Sequence, residues 1–377
     1  MISENETKVM EKTHARDTNF ELLRIIAMIM IVALHFNCHG KVMYYVEPFS
    51  KKYYYTFFIE YACLIAVNLY VMISGYYMIK SKFKIRKIIK IEMQVLFYSL
   101  IIYLLLVVLG QVKFSKTELI NSLLPTITNR YWFITAYIGL YLLIPFINKL
   151  ANSLNKKEYT TLLVILTFTL SFVKTIYPAN YIMNGSGIVW FIYLYLLAGY
   201  IRIYFDKKVN NYKLLFLYLA TIIIQIVIRN ISLKSQITTI KDYAVTSYNN
   251  SWFYTLIETL AIFLIFKNIK IKNEKINKAI TKIAPLTLGV YLIHDNKYLR
   301  PVLWDKILHP LTFLNSGIAI VIAEIVDVML IFIVCCIVEK LRQLIFEGFS
   351  KTSISKKINT KINALMIKTC NSNNKEI

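Results

Sequence analysis

Apolar stretches of near-spanning length recur along this chain from residue 20 to residue 339, and no soluble fold accommodates them. The first is the most instructive. Residues 16–39 read RDTNFELLRIIAMIMIVALHFNCH, with an unbroken apolar run from Ile25 to Leu34 bounded by Glu21 and Arg24 on one side and His35 and His39 on the other. Arg24 and His35 are eleven residues apart. On a helix that spacing returns to nearly the same face, roughly 16 Å further along the axis. Ionisable groups inside a span are costly, so they face a cavity, a partner or a pathway. The chain is therefore expected to be all-α, a polytopic membrane protein in one transmembrane domain.

About ten spans can be drawn, near 20–38, 57–79, 91–110, 131–148, 159–175, 187–204, 214–231, 251–269, 283–299 and 317–339. Residues 1–19 then form an N-terminal segment, 20–339 the membrane domain, and 340–377 a basic tail. A net charge of +23 in a soluble protein would suggest nucleic acid. Here the Lys and Arg residues sit between spans and no nucleic-acid motif is present, so nucleic acid is not an expected partner. The segments 80–90, 148–158, 205–213 and 267–282 are the basic ones, and the positive-inside bias makes both termini cytoplasmic. No small-residue cleavage site follows the first apolar run, so it is expected to stay as an anchor. Cys38 and Cys63 are the pair that could meet near the outer face, with buried free thiols the plainer expectation.

Four groups of residues are able to carry chemistry. His35 is a buried imidazole able to take a proton from a hydroxyl and return it to a leaving thiolate. Arg24 shares its stripe, or snorkels to the interface, or pairs with Glu21. Lys80, Lys82, Lys84, Arg86, Lys87 and Lys90 put six cations in eleven residues. Such a run suits a polyanionic ligand with several phosphates, and equally sets topology against anionic lipid. Glu324 and Asp327 in the last span and Glu60 in the second are intramembrane acids; Glu324, at a depth like that of His35, is the candidate to fix its tautomer. Finally, YLIHDN (291–296) puts His294 beside Asp295 in a short polar span. His294 and Asp295, with Tyr131 and Trp132, are the candidate acceptor-binding residues. His35 and His39 are four apart, as metal ligands on a helix often are, but no Glu follows His35 and Gly40 ends the helix, so no metal is expected.

These residues also carry a resemblance. N-x-E-L-L-R-I-I-A-M-x-M-I-V-x-L-H-F resembles the first span of the membrane acyltransferases called acyltransferase type 3, whose signature is a basic residue, ten residues, then His. VMISGYYM (71–78), RYWFITAYIGLYLLIPFIN (130–148), Gly199–Tyr200–Ile201–Arg202 and LGVYLIHDN (288–296) follow in order, so the likeness covers spans one to nine. It implies a ten-helix enzyme of the bacterial plasma membrane that passes an acyl group, most often acetyl, from cytoplasmic acyl-CoA to a hydroxyl of an extracytoplasmic glycan. On that carry-over His35 is the catalytic histidine and Arg24 its partner. Lys82, Lys84, Arg86, Lys87 and Lys90 correspond to the segment that binds the coenzyme A phosphates, where many members have Arg-x-x-Arg and this chain has Lys84-x-x-Lys87 and Lys87-x-x-Lys90. The rival reading is a transporter or flippase of lipid-linked sugars, in which the buried charges line a path and no bond is made.

Overall fold

The computed structural model describes residues 17–177, 187–238, 240, 241, 243 and 249–350, with side chains up to 347. Among them there is no strand. The helices needed below are α1 (Thr18–Cys38), α2 (Lys51–Cys63), α3 (Ala66–Met78), α4 (Ile85–Val108), α5 (Lys116–Leu123), α6 (Trp132–Ser153), α7 (Lys156–Thr167), α8 (Ile188–Tyr204), α9 (Asn211–Lys234), α10 (Phe253–Asn268), α11 (Glu274–Ile283), α12 (Thr287–His294) and α13 (Gly317–Ser350). The N-terminal residues 1–16 and the tail from 351 lie outside the described residues.

Among the described residues, seven helical stretches are long and apolar enough to cross a bilayer by length and composition: Thr18–Tyr45, Lys51–Met78, Ile85–Val108, Trp132–Ser153, Lys156–Ile176, Asn211–Lys234 and Gly317–Glu347. Outward faces carry exposed apolar side chains such as Leu105, Phe146, Phe216, Ile223 and Ile322. That distribution suits lipid contact and makes this a multi-pass membrane protein. Of the remaining spans drawn from sequence, α8 is a shorter apolar helix of 17 residues. The stretch 283–299 departs furthest from a plain span. There the chain leaves α11 at Ile283 and makes a 3-10 turn through Pro285 and then the eight-residue α12, because proline lacks the N–H that would carry the α-helix through. The last helix runs past the drawn boundary at 339 to Ser350.

Without water to drive helices together, close backbone approach and polar clamps hold such a bundle. At Gly75 on α3 an added Cβ would lie 2.6 Å from the carbonyl oxygen of Tyr195 on α8. Gly75→Leu is accordingly expected to cost about 1–3 kcal/mol or more by forcing the two helices apart, read as a lowered unfolding temperature in detergent. Asn68 clamps the same region: its amide donates to Asn250 O (2.8 Å) and Thr259 Oγ1 (3.2 Å), and its oxygen accepts from the Trp190 indole (2.9 Å). At Gly289 on α12 a Cβ would meet Glu339 of α13 at 2.6 Å, so this glycine seats the short helix against the last one. Glu339 itself is held by Tyr98 (2.7 Å) and by both forks of Arg342 (2.8 and 2.7 Å). Cys38, Cys63, Cys335 and Cys336 are free thiols.

Candidate functional site

One face of α1 lines a cavity of about 460 Å³. Arg24, Met28, Ile31, His35 and Cys38 follow one another at steps of three and four residues along it, about 21 Å from first to last by the helical rise. The opposite walls come from α3 (Val67, Tyr70, Ser74), α6 (Trp132, Phe133, Tyr137) and α12 (Thr287, Leu288, Tyr291). The lining is mainly apolar and aromatic, with few polar groups, as ligand cavities usually are. The Tyr70 hydroxyl donates to the Arg24 carbonyl (2.9 Å), and Ser74 and Tyr137 share a hydrogen bond of 3.0 Å, so those polar wall groups are fixed.

At one end Arg24 donates through Nη1 to Glu21 Oε2 at 2.7 Å while remaining in the cavity wall. The basic run lies at this end. Lys82, Lys84, Arg86, Lys87 and Lys90 are exposed, and Ile91, one turn beyond Lys87, is itself part of the cavity wall. Tyr141 on α6 donates to the Lys84 carbonyl (3.3 Å) and packs at a tilt against Phe83, ring centroids 5.3 Å apart, which ties the run to α6.

Near the other end His35 is one member of a buried polar cluster. Its Nδ1 is 2.9 Å from His294 Nε2, and His294 Nδ1 is 2.6 Å from the Val290 carbonyl oxygen. A carbonyl only accepts, so His294 Nδ1 carries a proton; a neutral His294 then offers a lone pair at Nε2 and His35 donates to it. The tautomer of His35 follows: Nδ1 protonated, Nε2 with its lone pair free for chemistry. Asp295 sits behind the same ring. Its Oδ1 is 3.7 Å from His35 Nδ1, 3.3 Å from His39 Nε2 and 3.3 Å from Arg300 Nε. A carboxylate there stabilises the imidazolium that forms when His35 takes a proton, the role an acid beside a general base commonly plays.

His294 and Asp295, candidate acceptor-binding residues by sequence, therefore stand behind the imidazole rather than in the cavity wall. Glu324, the expected orienter, has no hydrogen bond or ion pair to His35 among the described residues. It accepts from Asn37 Nδ2 (3.4 Å), and Asn37 lies two residues beyond His35, about 200° round α1. Trp132 is in the cavity wall. Tyr131 is not: buried, it donates to Leu292 O (2.9 Å) and accepts from Asn296 (2.8 Å), pinning the turn that carries His294 and Asp295. His35, His39 and Asp295 also bring three potential ligand atoms within 4.8 Å of one another. The Arg300 guanidinium, 3.3 Å from Asp295 Oδ1, already offsets the carboxylate charge that would draw a cation there.

Sequence reasoning passed over two contributors. Arg300, five residues after Asp295, shares its carboxylate, and a basic residue just past a buried acid is a signal the pattern contained. His39 was visible only as a doubtful metal ligand; it packs on His35, ring centroids 4.6 Å apart.

Comparison with known proteins adds one finding: the family model described as an acyltransferase domain matches residues 17–339. No curated protein and no solved structure matches the chain.

Proposed function

The chain belongs to the acyltransferase type 3 family, and on that premise we propose that it is a membrane O-acyltransferase, moving an acetyl or other acyl group from acyl-CoA to a hydroxyl of an extracytoplasmic glycan. The observation that carries this reading is the single cavity with Arg24 and His35 in one wall and the exposed cationic run beside its Arg24 end. A thioester donor needs that layout: phosphates held on Lys82, Lys84, Arg86, Lys87 and Lys90 in the cytoplasm, and a narrow apolar passage that leads the pantetheine arm to a base.

The chemistry then needs one base in one tautomer. His35 Nε2 takes the proton of the acceptor hydroxyl as its oxygen attacks the thioester carbonyl. The new C–O bond forms, the C–S bond breaks, and the proton passes from His35 to the departing thiolate, so that an ester and free CoA leave. His294 accepts the Nδ1–H throughout, and Asp295 at 3.7 Å offsets the transient positive charge. Arg24 guides the donor past the cytoplasmic end of the cavity.

The test is release of free CoA from acetyl-CoA by the purified protein in nanodiscs, with acetyl-CoA binding measured on the same sample. Binding with slow release supports the reading. Failure to bind or consume any acyl-CoA overturns it and favours passage of a lipid-linked sugar instead. If the cationic run holds the donor, changing Lys84, Arg86 and Lys87 together to Gln raises KM for acetyl-CoA at least tenfold with little change in kcat. The salt dependence of KM flattens in the same variant, because fewer ion pairs are left to screen.

A further inference from the structure

At the His39 end of the bundle, α5 and the turn that follows it fold over the segment after Asp295. Ser115 caps α5 by accepting from Glu118 N (3.4 Å), and Thr128 ties the turn back to Leu124 O (2.8 Å) and Asn121 O (3.0 Å). Between them lies a second cavity, of about 310 Å³, lined by Asn121, Thr128, Asn129, Arg130, Lys297 and Arg300. The lining holds three cations and three neutral hydrogen-bonding residues, and neither an acid nor an apolar side chain.

Two carboxylates stand behind this wall. Glu118 pairs with Arg130 and with the Tyr298 hydroxyl, and Lys297 Nζ lies 3.7 Å from its other oxygen. The Tyr298 and Arg130 hydrogen bonds hold the Glu118 carboxyl below the usual carboxylate range, so it is charged at neutral pH. Asp295 faces Arg300. Three cations against two anions leave one positive charge uncompensated, and Arg300 Nε, buried, makes no hydrogen bond, its partner being the Asp295 carboxylate at 3.3 Å in an ion pair. The neighbours of the lining residues are of opposite character. Ile127, 81% exposed, precedes Thr128 of the pocket, and Ile120, Leu123 and Leu124, exposed too, flank Asn121. A polar cationic pocket with an apolar lip, at the end of a membrane bundle, matches a molecule with a phosphate group on a hydrocarbon chain.

We propose that this pocket is the acceptor's headgroup subsite, taking the phosphate or diphosphate of a lipid-linked glycan on Arg130, Lys297 and Arg300 while its hydrocarbon chain lies along the Ile120–Ile127 lip. That the occupant is the acceptor rests on the acyltransferase reading; that the pocket takes a lipid phosphate does not. The position fits an acceptor. Arg300 contacts Asp295, and Asp295 contacts His35, so the anchored phosphate lies two contacts from the candidate base, on the side away from the donor's cationic run. Sugars attached to it are then tethered near the imidazole, which raises their effective concentration there.

The experiment uses the full chain in nanodiscs of neutral phosphatidylcholine, with tryptophan fluorescence titrated by three probes: farnesyl diphosphate, farnesol and inorganic pyrophosphate. Saturable farnesyl diphosphate binding is expected, weakened at least tenfold by Arg300→Gln and by Lys297→Gln, and weakened by salt. Pyrophosphate is expected to bind at least tenfold less tightly, and farnesol without sensitivity to either substitution. Lys297 is half exposed and makes no hydrogen bond, so its variant keeps the fold, which unfolding temperatures check. Equal farnesyl diphosphate affinity in wild type and both variants overturns the proposal. Pyrophosphate binding as tightly as farnesyl diphosphate overturns the lipid part, and displacement of farnesyl diphosphate by acetyl-CoA assigns the pocket to the donor and overturns it too. CoA release without farnesyl diphosphate binding leaves the enzyme reading standing and sinks this one. Farnesyl diphosphate binding with no acyl-CoA use does the reverse.

Discussion

Replacing His35 with Ala is expected to abolish CoA release, by about a thousandfold, while acetyl-CoA affinity stays within a factor of two or three. The size follows from the role: a positioned general base contributes about 10²–10⁴-fold, and the cavity wall holds no second imidazole, its one carboxylate being Glu60. Arg24 is paired to Glu21, the Tyr70 hydroxyl is committed to the Arg24 carbonyl, and Ser74 and Tyr137 are committed to one another. The affinity is spared because the basic run proposed to hold the phosphates lies at the Arg24 end, about 16 Å along α1 from the imidazole. Equal loss of binding and turnover would mean that the histidine holds the donor instead of activating the acceptor. Unchanged turnover would remove His35 from the chemistry.

His294 is expected to matter nearly as much without touching either substrate. With His294→Leu, the His35 Nδ1–H loses its acceptor in a buried site, and the ring is free to take the other tautomer, with Nε2 protonated and useless as a base. A fall in kcat of about a hundredfold at constant KM is expected, similar to losses seen when the group that fixes a functional histidine is removed. His294→Gln separates this from damage to packing. Its Oε1 occupies roughly the place of Nε2 and accepts the same hydrogen, so most of the activity should return. Two variants equally inactive and equally lowered in unfolding temperature would mean that His294 only fills space. Recovery in Gln but not in Leu is the outcome that makes it a positioning residue.

Both predictions turn on α1, where the sequence was most informative. The Arg24–His35 spacing and the apolar run between them require a shared helical face whatever the rest of the chain does, and both residues line the same cavity. The partner of His35 was not legible in this way. Glu324 and His294 are both buried and polar, and they sit on different helices far along the chain; depth alone made the acid plausible. The choice between them depends on which helix meets which side of α1, and Asn37, two residues past His35, takes the face toward Glu324 while His35 itself faces α12. The span drawn at 283–299 fails for a local reason that the sequence did contain. Pro285 interrupts it, and the result is a short helix ending at His294, with Asp295 and Asn296 in the turn beyond. A continuous helix would have carried these residues around its circumference; the stop at His294 lets Asp295 fold back toward His35 and His39.

By itself, then, the sequence determined that this is a helical, many-spanned membrane protein with a cation and an imidazole on one face of its first helix, because hydropathy, helical period and residue spacing act along a single segment and need no partner. Tertiary structure alone decided that His294 and Asp295 support the imidazole from behind, that Glu324 belongs to a different contact, and that Arg130, Lys297 and Arg300 close around a second cavity. Those arrangements join residues separated by 165 to 287 positions. Their geometry is set by the depth and rotation at which helices pack, through close approaches such as Gly75 on Tyr195 and Gly289 on Glu339.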